Sequence, residues 1–199
     1  MNQLRNEHVS QLFSQISASD KKAFDELFRK SHASLVVFSC RYVKDKQTAF
    51  DIVQDTFIKL WNNRTSLSDV DLAKSYLYRV VRNLSLNHIR DNANTQTGLD
   101  LVGDEAILDG EKQIAWSNPA DYNDSDYVQT RIALIKQWIA KLPERQKEAF
   151  ELSRFEGLDH HEIAEVMNVS ARTVNNHIVK ALENIRKFRE IDGKRNATS

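Results

Sequence analysis

The sequence predicts an all-α protein made of two small helical domains joined by a flexible acidic linker. The 199 residues include only 5 Gly and 2 Pro, which is few for a many-stranded sheet with its many turns. Apolar residues recur every three to four positions from residue 19 to residue 90 and again from residue 127 to about residue 189. These two observations favour long helices in two separate blocks.

The charge distribution separates the two blocks. The counts of Lys plus Arg against Asp plus Glu are 14 against 9 in residues 1–90, 1 against 9 in 91–128 and 13 against 10 in 129–199. Two domains that face nucleic acid and are joined by a solvated linker would produce this charge distribution, and a solvated linker without a function would give a similar one. The boundaries that we predict are a first domain at 1–91, a linker at 92–126, a second domain at 127–190 and a disordered tail at 191–199.

The first block contains two helices with clear apolar stripes. Asp20 is a suitable cap for a helix whose apolar residues recur at helical spacing, namely Phe24, Leu27, Phe28, Leu35 and Phe38. After a turn at KDKQ, the helix TAFDIVQDTFIKLWNN carries the stripe Phe50, Val53, Phe57 and Leu60. Its polar residues Asp51, Gln54, Asp55 and Lys59 point elsewhere, so that face is free to bind or to be solvated.

A third helix, LAKSYLYRVVRNLSLNHIRD, follows the break RTSLSDVD and is both basic and aromatic. Its apolar residues can pack on one side, namely Leu77, Val80, Val81, Leu84 and Ile89. The polar residues Arg79, Arg82, Asn83, Asn87 and Arg90 are then expected to remain available. Tyr76 and Tyr78 suit either the core or the stacking of a nucleic-acid base.

The second block predicts a helix-turn-helix. Pro143 suits the first turn of one helix, and Ser170 caps the last one, which runs from Ala171 to about Arg189. In EIAEVMNVSARTVNNHIVKAL a shared core is expected from Ile163, Met167, Val169, Val174 and Ile178. The outward residues Arg172, Asn175, Asn176 and Lys180 could read base edges and phosphates, or could be ordinary solvent-facing side chains.

Several functional classes find little support in the sequence. No run approaches about 18 apolar residues, and MNQLRNEHVSQLF lacks a signal-peptide core, so we expect a cytoplasmic protein. The single cysteine, Cys40, lies in the apolar run LVVFSC and is expected to be buried. His177 is expected at the edge of a helix interface, because it has no metal-ligand spacing around it. We find no nucleophile and base pair, metal cluster or phosphate loop, and therefore predict no enzyme activity and no cofactor or metal.

Both halves of the chain resemble one family. AFDELFRKSHASLVVFSCRYVKDKQTAFDIVQDTFIKLW followed by SYLYRVVRNLSLNHIRD resembles domain two of the extracytoplasmic-function (ECF) sigma factors. LPERQKEAFELSRFEGLDHHEIAEVMNVSARTVNNHIVKALENIR resembles their domain four. The resemblance implies a sigma factor that binds core RNA polymerase and directs it to promoter DNA, commonly under the control of an anti-sigma factor.

The resemblance also implies roles for particular residues. Polymerase would bind the helix DIVQDTFIKLW at Asp51, Gln54, Asp55 and Ile58. The minus-10 element would be recognised by Tyr76, Arg79, Arg82, Asn83, Asn87 and Arg90, with the break RTSLSDVD forming a pocket for an unstacked base. The minus-35 element would be read by Ser170, Arg172, Thr173, Asn175, Asn176 and Lys180.

This sequence departs from the family at two of these positions. The family often has a basic residue at the position of Asn175 and an acidic one at the position of Asn87, so the bases that are read do not carry over. The competing hypothesis is a conventional helix-turn-helix regulator that binds DNA as a dimer without polymerase. A helical scaffold protein would show neither polymerase dependence nor promoter preference.

Overall fold

The computed structural model describes residues 2–69, 72–97 and 126–196, with side chains at 7–67, 72–93 and 132–193. Every regular element in these ranges is helical, which confirms the all-α prediction. The elements in chain order are α1 (Asn2–Ser17), α2 (Lys21–Val43), α3 (Lys46–Asn62), a 3₁₀ helix (Arg64–Asp69), α4 (Ala73–Thr97), α5 (Asp126–Ala140), α6 (Glu144–Arg154), α7 (His160–Met167) and α8 (Ala171–Asn196).

The chain folds as two compact units. Helices α1 to α4 belong to the first unit, whereas α5, α6, most of α7 and α8 belong to the second. Among the described residues, no helix combines the length and the apolar character that crossing a membrane would require.

The first helix, α1, was not predicted from the sequence. It buries Leu12, Phe13 and Ile16, each at most 2% exposed, and packs against α2, α4 and the 3₁₀ helix. The spacing of these three residues is that of one helix face, but the polar turns before them obscure it.

Aspartate side chains cap the N-termini of α2 and α3. The Asp20 carboxylate accepts hydrogen bonds from the backbone N–H groups of Lys22 and Ala23, as the sequence predicts. Asp45 caps α3 by accepting from both the hydroxyl of Thr48, at 2.6 Å, and its backbone N–H, at 2.7 Å. Because these hydrogen bonds favour the carboxylate, they lower the pKa of Asp45. Asp45 thereby fixes the start of α3 directly after the turn that ends α2.

The core of the first unit lies where α2, α3 and α4 meet. Its fully buried apolar residues include Leu35, Phe38, Val53, Leu60 and Leu77. A buried polar pair also joins α2 to α4, since the hydroxyls of Ser39 and Ser85 lie 2.9 Å apart and both residues are wholly buried.

Cys40 is buried as predicted, at 8% exposure. Burial is the main reason that the pKa of its thiol is raised, and the negative charge of Asp45 adds to the effect against the opposing Lys46. A thiol held in its protonated form is a poor nucleophile, which agrees with a structural role.

Two predicted boundaries need correction. Helix α4 continues to Thr97, six residues beyond the predicted end of the first domain at residue 91. Helix α8 continues to Asn196, so most of the predicted tail at 191–199 is helical. Periodicity fades before either helix ends, because their last turns carry few apolar residues. The rest of the predicted linker up to residue 125, and residues 197–199, lie outside the described residues.

The second unit is held together by apolar contacts between α8 and the two helices that precede α7. Ile139, Leu142, Phe150 and Ala181 form a buried cluster, on which Leu182, Ile185 and Phe188 pack. Two polar contacts fix the packing. The indole Nε1 of Trp138 donates to Asp192 at 2.6 Å, and the amide of Asn184 donates to Gln146 at 2.9 Å. Pro143 occupies the N-cap position of α6, directly before its first residue.

Candidate functional site

One face of α3 presents the four residues that the resemblance assigns to polymerase binding. Asp51, Gln54, Asp55 and Ile58 are all exposed, and their i, i+3, i+4 and i+7 spacing puts them on a single face. Ile58 is a large apolar side chain at 52% exposure. The face therefore combines two carboxylates and an amide with one exposed apolar side chain, which suits a basic or amphipathic partner.

Beside this face, α2 and α3 enclose an apolar groove of about 470 Å³. Its walls include Phe24, Phe28, Phe57, Ile58 and Trp61, and its rim is polar, with Lys21, Asp25, Gln54 and Asn62. The aromatic rings pack edge to face, with centroids 5.1 Å apart for Phe24 and Trp61 and 4.9 Å apart for Phe28 and Phe57. The sequence predicts Phe24 and Phe28 only as packing residues, yet Phe28 is 37% exposed.

The α4 face agrees only in part with the sequence prediction. Asn83, Asn87 and Arg90 are exposed, and Arg79 is partly exposed. Arg82, however, is only 7% exposed, so the prediction that its side chain remains available is wrong. Tyr78, Val81 and Ser85 surround it on the helix at i−4, i−1 and i+3, and all three are buried. Arg82 thus lies on the packed side of α4.

The two tyrosines of α4 have different environments. Tyr78 is a core residue at 3% exposure, and its ring centroid lies 5.1 Å from that of Phe38. Tyr76 is only partly buried. Its ring meets the ring of Phe13 edge-on at 6.1 Å, and the Arg79 guanidinium lies 5.7 Å from its centroid. Of the two, only Tyr76 is placed to offer a ring to a ligand.

The first six residues of the break RTSLSDVD, Arg64–Asp69, form a 3₁₀ helix rather than an irregular loop. Leu67 buries its side chain at 2% exposure and anchors the segment. Arg64 secures its start by donating to the hydroxyl of Ser19 at 2.8 Å and to the carbonyl of Trp61 at 3.0 Å. The last two residues of the break, 70 and 71, lie outside the described residues.

The predicted helix-turn-helix is formed by α7, a short turn and α8. Ile163, Met167, Val174 and Ile178 are buried as predicted, and Val169 is partly buried. The eight-residue α7 begins with a reciprocal cap that sequence analysis missed. The Asp159 carboxylate accepts from the N–H groups of His161 and Glu162, and the Glu162 carboxylate accepts from the N–H of Asp159. The spacing D-x-x-E at residues 159 and 162 was the available signal.

The outward face of α8 carries the proposed recognition residues. Arg172, Asn175, Asn176 and Lys180 are exposed. Ser170 and Thr173 build the N-terminus of the helix instead, since the Ser170 hydroxyl accepts from the N–H of Thr173 at 3.1 Å and lies 2.8 Å from its hydroxyl. Two cations, two amides and a helix N-terminus on one surface can contact base edges and phosphates.

His177 is partly buried between this face and α6, as predicted. Burial lowers the pKa of its imidazole, and the positive charges of Arg145 and Lys180 lower it further against the opposing Glu148. The neutral ring is therefore favoured near pH 7. Within the described ranges, no group of three or more His, Cys, Asp or Glu residues is arranged to hold a metal ion.

Comparison with known proteins identifies both units. The family model for sigma-70 region 2 matches residues 27–95, and the model for sigma-70 region 4 matches residues 132–185. The RNA polymerase sigma-H factor of Pseudomonas aeruginosa is 30% identical over 186 residues, covering 92% of this chain and 95% of that protein. The ECF RNA polymerase sigma-E factor of Escherichia coli is 26% identical, with 87% and 90% covered.

Solved structures show the same fold. The sigma factor RpoE of Bartonella quintana, in a complex with the anti-sigma factor NepR, superimposes with a TM-score of 0.63 at 20% identity. That match covers 86% of this chain and 99% of the other. CnrH, in a complex with the cytosolic domain of CnrY, gives a TM-score of 0.57 at 19% identity, with 93% and 99% covered.

The chain belongs to the sigma-70 family of RNA polymerase sigma factors, in the ECF subfamily. It is a DNA-binding factor of transcription initiation.

Proposed function

We propose that the two units divide promoter recognition between them while both are held by core RNA polymerase. The first unit, including the whole of α4, would bind polymerase and capture the melted minus-10 element. The second unit would read minus-35 duplex through α8. The protein would act in the cytoplasm by binding alone, without catalytic chemistry, cofactor or metal. The observation that carries this proposal is the pair of family matches, one to each unit, in the order of the chain.

Polymerase binding is assigned to the exposed α3 face of Asp51, Gln54, Asp55 and Ile58. The adjacent groove supports this assignment, because an apolar cleft beside carboxylates gives a partner both a desolvated centre and a charged rim. Fully exposed charges alone would add little affinity.

Minus-10 recognition is assigned to the exposed side of α4 and the adjoining 3₁₀ helix. Tyr76 would stack on an unpaired base, and Arg79 and Arg90 would neutralise phosphates. Asn83 and Asn87 would contact base edges or the backbone. Arg82 would support α4 from the core side instead of contacting DNA, because its side chain is buried.

Minus-35 recognition is assigned to the N-terminal half of α8. Arg172 is exposed at the start of this helix, where a guanidinium can pair with guanine in the major groove. The side-chain amides of Asn175 and Asn176 suit adenine, and Lys180 suits a phosphate. Ser170 and Thr173 would present the helix N-terminus to the DNA backbone.

An anti-sigma factor is the proposed regulator. Bartonella quintana RpoE was solved in a complex with the anti-sigma factor NepR, and CnrH in a complex with the cytosolic domain of CnrY. A partner that covers the α3 face and its groove would block polymerase by direct competition. Free, the protein should bind DNA weakly, because each unit has only a small excess of basic residues.

The decisive experiment is reconstitution of the purified protein with core polymerase, followed by sequencing of the 5′ ends of the transcripts made on genomic DNA. The proposal expects initiation at a defined set of promoters. Initiation no more specific than that of core polymerase alone would refute it. Selection of particular duplexes by the protein without polymerase would instead indicate a conventional regulator.

Arg172→Ala tests the role of α8. The substitution should weaken the preference for the minus-35 sequence by about 1 to 3 kcal/mol, while binding to core polymerase stays intact. Arg186→Ala is the matched control, because it removes the same charge from an exposed position about 21 Å further along the same helix. Equal effects of the two variants would show that the contribution is general electrostatic attraction.

A further inference from the structure

Helix α1 contacts the 3₁₀ helix and α4, the two elements to which capture of the unpaired minus-10 base is assigned. This helix precedes residue 27, where the match to sigma-70 region 2 begins. It packs against the 3₁₀ helix and against α4, and its buried residues Leu12, Phe13 and Ile16 are at most 2% exposed. Thus a helix outside the family match supports the two elements to which base capture is assigned.

Phe13 and Tyr76 make a direct ring contact between α1 and α4. The two ring planes are nearly perpendicular, at 84°, and their centroids are 6.1 Å apart. Phe13 is 1% exposed and cannot itself reach a ligand, whereas Tyr76 is partly exposed. Because an edge-to-face contact depends on orientation, it favours one tilt of the tyrosine ring over others.

A second set of contacts holds the 3₁₀ helix to the turn after α1 and to α3. Arg64 donates to the hydroxyl of Ser19, in the turn that follows α1, and its guanidinium lies 4.8 Å from the centroid of the Trp61 ring. Leu67 is buried at 2% exposure. The 3₁₀ helix is therefore held from the α1 side as well as from α3.

We propose that Phe13 is a positioning residue for base capture, which holds the Tyr76 ring in the orientation that stacks on the unpaired minus-10 base. A ring already oriented loses less freedom when the base arrives, so more of the stacking energy appears as affinity. This inference rests on the proposed role of Tyr76.

The test measures how much the captured base contributes to binding. Holoenzyme made with full-length protein is titrated with fork DNA whose non-template minus-10 strand carries either its ordinary base or an abasic site at each position in turn. The ratio of the two affinities isolates base stacking, because core binding, phosphate contacts and fold stability affect both DNAs equally. Tyr76→Ala should reduce this ratio at one position by roughly 5- to 150-fold, and Tyr76→Phe should preserve it.

Phe13→Leu keeps an apolar side chain in the core but removes the ring, and should reduce the same ratio at the same position by roughly 2- to 10-fold. In a Tyr76→Ala background it should have no further effect on the ratio. Ile16→Val, which also trims a buried residue of α1, is the control and should leave the ratio unchanged. If Phe13→Leu protein does not fold, Phe13→Met provides a flexible replacement with the same expectation.

The outcomes separate the two proposals. If Tyr76→Ala leaves the ratio unchanged at every position, the proposed role of Tyr76 is wrong. If Tyr76→Ala lowers the ratio but Phe13→Leu does not, only the role of Phe13 is overturned. A loss caused by Phe13→Leu that persists without Tyr76 would also overturn it, because Phe13 would then act by another route.

Discussion

Replacing Asp159 with alanine should destabilise α7, the first helix of the helix-turn-helix. The substitution removes the two hydrogen bonds that the Asp159 carboxylate accepts from the N–H groups of His161, at 2.8 Å, and Glu162, at 2.9 Å. An eight-residue helix has little stability of its own, so its first turn depends on this cap and on packing. Loss of an N-cap costs about 0.5 to 2 kcal/mol, and the two bonds lost here place the expected effect at about 1 to 2 kcal/mol.

Amide hydrogen exchange of the full-length protein measures this effect locally. A loss of about 1 to 2 kcal/mol makes opening of the helix roughly 5 to 30 times more frequent, so protection of the α7 amides should fall by that factor. Protection of α2 and α3 should not change. Asp159→Asn is the matched control, because asparagine caps about as well as aspartate, and it should cost only a few tenths of a kcal/mol.

Equal loss of protection in Asp159→Ala and Asp159→Asn would refute the role of the cap, since the cap geometry would then be irrelevant. A fall in protection across both units together would refute it as well. Minus-35 affinity in the holoenzyme should change by less than roughly 2-fold, because α7 remains folded most of the time even when it opens more often. Arg172→Ala should show the opposite pattern, with affinity lost and protection retained.

Two further predictions concern the interior of each unit. Ser85→Ala should cost about 1 to 3 kcal/mol of unfolding free energy in urea titrations, because it leaves the buried Ser39 hydroxyl without its partner. Ser39→Ala should cost less, about 0.5 to 1.5 kcal/mol, because the Ser85 hydroxyl still donates to the carbonyl of Val81, and the double variant should cost less than the sum. NMR titration should place the pKa of His177 below 6.5. Because the folded state disfavours the protonated ring, its contribution to stability should be complete above pH 6.5 and decline as the pH falls towards the lowered pKa. Lys180→Gln should raise the pKa and Lys187→Gln, further along the helix, should not.

Much of this fold could be predicted because its helices follow simple periodic rules. Val53, Phe57 and Leu60 of the predicted stripe are buried and Phe50 is partly buried, and the caps Asp20 and Ser170 accept the hydrogen bonds expected of them. The core of the helix-turn-helix could be predicted equally well, because its apolar spacing is a local property of the chain. In these cases the pattern on one helix face determines which residues are buried.

The errors arise where tertiary packing overrides a residue's usual preference. Arg82 was assigned to the exposed face because it is charged, but its neighbours on the helix, including the buried Ser85, belong to the packed face. A long arginine side chain can follow apolar surface, so charge alone does not place it outside. Phe28 shows the reverse case, since its periodicity matches a core position but it lines a groove between two helices. Neither outcome can be inferred from a single helix.

The first unit connects its proposed polymerase face to its proposed DNA face through one close-packed core. Helix α3 carries the former and α4 the latter, and both pack on α2 and on each other. The wholly buried Ser39–Ser85 hydrogen bond favours one position of α4 along α2, because a slip of one residue would take the Ser39 hydroxyl away from its partner, although Ser85 would still donate to the carbonyl of Val81. Such an interior transmits displacement instead of absorbing it. Docking of α3 on polymerase would therefore also orient Tyr76 and its neighbours on α4 relative to the enzyme.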